Sequence, residues 1–137
     1  MATVKQAIIK NTRQLALANK GSGTVLAKGE ILMQTAGLAV PATSSTVRAD
    51  LLGVCNQTIA AAEALTQVPV IVPSDEDVYI FSTTNNTNAD MNGEAMVLTN
   101  SLEVNNTGTT SATGIIQQVD VLGATGDKLI LGRFLTL

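Results

Sequence analysis

Residues Gly29 to Val40 read GEILMQTAGLAV, and Gly93 to Val104 read GEAMVLTNSLEV. The second stretch starts 64 residues after the first, and the two superimpose without a gap. Each opens on a Gly-Glu step, runs through a short apolar segment, crosses a small polar turn and closes on a second short apolar segment. That pattern describes two strands of about five residues joined as a hairpin. Asn92-Gly93 suits a tight turn, because both residues tolerate positive φ and Asn-Gly is a strong hairpin signal. Lys28-Gly29 holds the same place in the first copy.

Working outward, pairing residue i with i+64 matches Thr35 with Thr99, Leu38 with Leu102, Val40 with Val104, Thr43 with Thr107 and Thr46 with Thr110. Hydrophobic character persists beyond the identities. LALAN (Leu15 to Asn19) falls on YIFST (Tyr79 to Thr83), Leu51-Leu52 on Ile115-Ile116, and Leu65 on Leu129. Such a period is too long for the common solenoid repeats and fits a pair of similar β units. Further strands are expected at LLGVCNQTI, VPVIV, DVYIF, IIQQVDVL and KLILGRFL, with Thr/Ser/Asn-rich loops at PATSSTVRAD and NNTGTTSATG. The expected fold is therefore all-β. It is a compact β-barrel or β-sandwich forming one domain over 21–137, built from two similar β units at about 25–73 and 89–137. An extended N-terminal arm precedes it over 1–20 and runs into a strand near Leu15. One stretch supports two readings. Gln57 to Gln67 is Ala-rich and suits a short helix over 58–66, capped by Thr58, or a strand followed by a loop.

Composition agrees with this fold. With no Trp, one Tyr and two Phe, the core has to be aliphatic. Charged residues make up 14% of the chain, against about 25% in average domains. Hydrophobic residues reach 45%. Together these favour a surface partly covered by other subunits, where charge is disfavoured. The net charge of −3 conceals a gradient: five of the eight bases (Lys5, Lys10, Arg13, Lys20, Lys28) precede the first acid, Glu30. A basic arm on an acidic body suggests an acidic protein surface as partner. The arm carries no aromatic residue to stack on bases, so nucleic acid is not the expected partner. The opening residues lack the apolar core of a secretory signal, and Ile31 to Val47 is too polar to span a bilayer. Synthesis in the cytosol and no membrane partner are expected.

Catalytic signatures are missing from the sequence. There is no His, which removes the commonest general base and the Ser–His and Cys–His pairs. Cys55, the only cysteine, cannot build a zinc cluster and reads as a buried small hydrophobe. Asp75, Glu76 and Asp77 do not follow an EF-hand and read as a solvated turn. Glu30 and Glu94 occupy matching places in two hairpins, which explains them more simply than a glycosidase pair does. No enzyme activity, cofactor or metal is expected.

A short polar arm, then AKGEILMQTAGLAVPA, a Thr/Ser loop and LLGVCNQTI, together resemble the head decoration, or cement, proteins of tailed bacteriophages. The resemblance has specificity over Ala27 to Ile59 and extends to the rest in composition. It implies a structural protein of the virion, on the outer surface of the capsid, bridging neighbouring copies of the major capsid protein. It also implies a homo-oligomer, typically a trimer, with no active site. The arm residues Lys5, Ile8, Ile9, Lys10, Arg13 and Lys20 are the capsid-contact candidates. They would act by strand addition to an exposed edge, steered by charge. The alternatives are a phage tail, baseplate or fibre component and, from another class, a glycan-binding β-sandwich module. The scarcity of aromatics argues against the last.

Overall fold

A computed structural model of the chain describes residues 5–7, 14–21, 23–60, 66–74, 76–108 and 113–135, with backbone only at 5–7, 14 and 15. Its first strands are β1 (Lys5–Ala7), β2 (Gln14–Asn19), β3 (Ile31–Thr35), β4 (Leu38–Pro41), β5 (Leu51–Cys55) and β6 (Gln67–Val72). The second half supplies β7 (Val78–Thr83), β8 (Ala95–Met96), β9 (Leu98–Asn100), β10 (Glu103–Val104), β11 (Ile116–Leu122) and β12 (Leu129–Phe134). Helical geometry among the described residues is limited to three-residue 3-10 turns at Arg48–Asp50, Ala89–Met91 and Thr125–Asp127. The fold is all-β. The helix considered over 58–66 falls mainly outside the described residues, and Ile59 itself lies in an antiparallel bridge with Leu26.

Two sheets form, and each curls into a ring. One runs β2-β6-β5-β3-β4, and a parallel bridge between Lys20 and Ala39 returns its last strand to its first. The other runs β8-β11-β12-β7-β10-β9. Only Val97 separates β8 from β9, so one kinked segment both starts and ends that order and nearly closes a barrel.

The two rings have the same strand order. β2, β3, β4, β5 and β6 of the first correspond to β7, β8/β9, β10, β11 and β12 of the second. Residue pairs fix the correspondence. Ala18 faces Val68, and Phe81 faces Ile130, 63 and 62 residues further on. Cys55 faces Val70, and Gln118 faces Gly132, at the same two offsets. Leu32 faces Gly53 as Met96 faces Ile116, and Gln34 faces Ala39 as Leu98 faces Val104. The 64-residue frame holds at β3, and the neighbouring strands slip by one or two residues around it. Irregular register at Leu32/Met33 and at Gln118/Asp120 accompanies that slippage.

The repeated Gly-Glu step has a specific job in both rings. Gly29 and Gly93 sit at φ 92° and 87°, and each is the third residue of a turn closed by Glu30 N–H to Ala27 O or Glu94 N–H to Met91 O, both 3.0 Å. Asn92 at φ −58°, ψ 131° completes type II geometry. Asn92-Gly93 is thus not a hairpin loop between two strands. It aims the chain into β8, where Gly93 N–H bonds Gln118 O at 2.7 Å, as Gly29 N–H bonds Cys55 O at 2.8 Å. The hairpin proper lies one step later. Ala36 and Gly37, at φ 51° and 78°, make the two-residue turn between β3 and β4.

Each ring has its own interior, and one ring also lends its outer face to the shared core. Leu32, Ala39, Cys55, Val68 and Val70 fill the first ring with Leu26 and Ile59. The larger cluster holds Tyr79, Phe81, Met96, Leu98, Val104, Ile115, Ile116, Ile130 and Phe134, joined by Ile31, Ala42, Val54 and Ile71 from the first half. All three aromatic residues of the chain meet there, with Phe134 edge-on to Tyr79 (5.2 Å) and Phe81 (5.3 Å). Polar bonds also cross between the rings. Ser101 Oγ donates to Glu30 Oε2 at 2.6 Å, Ile31 N–H to Ser101 O at 2.9 Å, and Arg48 Nε to Gly114 O at 2.8 Å.

Candidate functional site

The leading residues are the candidate site, and the structure shows where they attach. β1 lies antiparallel on β7, with Lys5 opposite Ile80, Gln6 opposite Tyr79 and Ala7 opposite Val78. The reason this edge is open to β1 follows from the ladder. Thr83 N–H bonds Lys128 O at 2.9 Å, so Tyr79, Phe81 and Thr83 direct their backbone groups to β12. Val78, Ile80 and Ser82 direct theirs to the opposite edge. There β10 takes the C-terminal end, at Ser82 and Thr83, and β1 takes the rest. Among the described residues, Lys5–Ala7 is thus an added edge strand, attached to the second ring although it precedes the first in sequence.

Of the six contact candidates, Lys5 lies in β1. Ile8, Ile9, Lys10 and Arg13 fall outside the described residues. Lys20 is inside the body. It is 5% exposed, its N–H bonds Thr66 O at 2.8 Å, and its ammonium donates to Gly21 O at 3.1 Å. In this arrangement Lys20 is not offered to a partner. Six residues of β2, Gln14–Asn19, pair with β6 and belong to the first ring.

The other residues weighed for chemistry have structural partners. Glu30 accepts from Ala27 N–H at 2.7 Å as well as from Ser101, and so pins the turn to the second ring. Glu94, its counterpart, is exposed. Asp77 departs from the solvated turn expected for it: it is 1% exposed, and its carboxylate accepts from Ser74 N–H at 3.3 Å. The carboxylate folds back into the turn because the main chain there has amide donors to satisfy. Among the described residues, no three His, Cys, Asp or Glu side chains gather to hold a metal ion.

Cys55 is 1% exposed, with Sγ donating to Gln57 O at 3.0 Å. Burial pushes its thiol pKa above the ordinary value, an effect partly offset by that hydrogen bond. Since the thiolate is the nucleophile, native Cys55 is expected to react with a neutral-pH thiol reagent at least about a hundredfold more slowly than in denaturant. Equal rates would show that the first ring opens readily.

These features define the class: a two-ring, all-β protein whose leading segment is docked as an edge strand. Compared with known proteins, the chain matches no protein-family model and none of the curated proteins.

Proposed function

We propose that this chain is a capsid decoration protein of a tailed bacteriophage, binding the outer surface of the shell and bridging neighbouring copies of the major capsid protein. The observation that carries the reading is β1. Among the described residues, the leading segment pairs by its backbone with a sheet edge through three residue pairs. So short a pairing is readily exchanged for a longer one on another protein, where main-chain bonds give affinity and side chains set register. Lys5, Lys10 and Arg13 steer this segment toward an acidic shell, and Ile8 and Ile9 give it apolar contacts there. Low charge over the body suits a surface covered by neighbouring subunits. In a homo-oligomer, the trimer that the sequence resemblance implies, several weak leading strands sum to firm attachment.

Deletion of residues 2–13 leaves β2 whole and tests the reading. The truncated protein is expected to keep its far-UV spectrum and native mass and to lose at least about tenfold in affinity for expanded shells by co-sedimentation. Undiminished binding would overturn the role of the segment. Assembly of the intact protein into tubes or rings without shells would favour a tail component instead.

A further inference from the structure

β2 presents the same edge that β1 covers on β7, and among the described residues no strand covers it from Gln14 to Ala18, beyond which the parallel bridge of Lys20 to Ala39 brings in β4. Lys20 N–H bonds Thr66 O as Thr83 N–H bonds Lys128 O, 2.8 and 2.9 Å. Gln14, Ala16, Ala18 and Lys20 therefore direct their backbone groups to β6, while Leu15, Leu17 and Asn19 direct theirs away from it. Leu15 and Leu17 are the counterparts of Val78 and Ile80, which face β1. Ile80 is half-buried, whereas Leu17 is 67% exposed.

We infer that this edge pairs with the same edge of a second copy, antiparallel about a twofold axis through Ala16. Three observations select a second copy as the occupant. Leu15-Ala16-Leu17 reads the same in both directions, so a twofold places like opposite like, as an isologous contact requires. Gln14–Asn19 carries no charge and no proline, the usual devices that keep an edge from pairing with another chain. Each copy brings one such edge, and β1 stays on its own β7, so the pairing conserves every bond inside the chain. Positions 15 and 17 of the two copies then exchange N–H and C=O groups across the axis, and Ala16 faces Ala16.

The inference does not rest on the capsid reading, and its test needs no shells. Antiparallel partners at a non-hydrogen-bonded position bring Cα atoms to about 4.5 Å, within the range of about 4.4–6.8 Å that a disulfide spans. Under mild oxidation, Ala16→Cys is expected to convert mostly to a covalent dimer. Asn19→Cys, three residues from the axis along β2 and so about 20 Å from its symmetry mate, should do so at least about tenfold more slowly. Leu17→Pro removes an outward N–H that β6 does not use, so self-association should weaken at least about tenfold with the far-UV spectrum unchanged. Native mass should show an even number of copies, either a dimer or two trimers joined through β2. A monomer at high concentration, a lone trimer, or equal cross-linking at positions 16 and 19 would each overturn the inference. Should Leu17→Pro fail to fold, the cysteine pair decides alone. Loss of self-association on removing residues 2–7, with Ala16→Cys uncrosslinked, would instead show β1 exchanged between copies.

Discussion

Gly53→Ala is expected to destabilise the protein by at least about 3 kcal/mol, combining backbone strain of about 1–3 kcal/mol with an overpacking cost of similar size. Gly53 lies within β5 at φ 141°, a conformation L side chains rarely adopt. A Cβ there would meet Ile71 O at 2.1 Å, with Ile71 C and Pro73 Cδ at 3.1 Å. The obstacle is the backbone of β6, and β5 pairs with β6 only at Val54–Ile71 and Cys55–Val70. Moving β6 away would break that ladder and open the interior between Cys55 and Val70. Gly23→Ala supplies the comparison. Gly23 also has positive φ, 77°, but nothing lies within 4 Å of its added Cβ. It should therefore cost only about 1–2 kcal/mol. Urea denaturation of both variants measures the difference. Similar midpoints would mean that β5 and β6 do not approach as closely as described.

The parts of this fold that were legible in the sequence are those written in local pattern. β3 and β4 were readable from an apolar run, a small polar turn and a second run. The entry turn was readable from Gly29 and Gly93, although its type was not. Asn-Gly occurs in both hairpin and type II turns, and the tertiary course of the chain decides between them. The 64-residue frame exposed two similar units because bulk hydrophobicity survives where identity does not. It could not reveal the slips in register, since the pairing of β5 with β3 and of β11 with β12 shifts at single residues that have no signature of their own. β1 was illegible as a partner of β7: three residues carry no periodicity, and an edge strand is chosen by which backbone groups are left open. For the same reason, Lys20 reads as an arm cation until its strand is placed beside β6 and β4. The candidate site was legible only as a charge gradient, which locates a segment without saying what it touches.

Phe81→Ala should cost about 3–5 kcal/mol, and most of the interest lies in what restores part of it. Phe81 is 1% exposed and packs edge-on to Phe134 at 5.3 Å. Its ring fills space left by Gly132, where an added Cβ would sit 3.0 Å from Phe81 Cδ2 and 3.1 Å from Gln117 O. In the first ring the corresponding positions hold Ala18 and Val70, so the bulk comes from the other strand. Gly132→Val alone should therefore overpack, at about 1–3 kcal/mol. The double variant Phe81→Ala/Gly132→Val copies the first ring's arrangement and should be less destabilised than the sum of the two by about 1–3 kcal/mol. Full recovery is not expected, because the Gln117 carbonyl still crowds the new side chain and the aromatic contact is gone. A double-mutant cycle by urea unfolding reads this directly, and additivity within about 0.5 kcal/mol would show that the two residues do not share one space. The exchange also explains why the halves agree in turns and strand order more than in sequence. Ring geometry constrains the total volume inside each barrel, so the strand that supplies it is free to differ, whereas the Gly-Glu turn into β3 and β8 has to be made the same way twice.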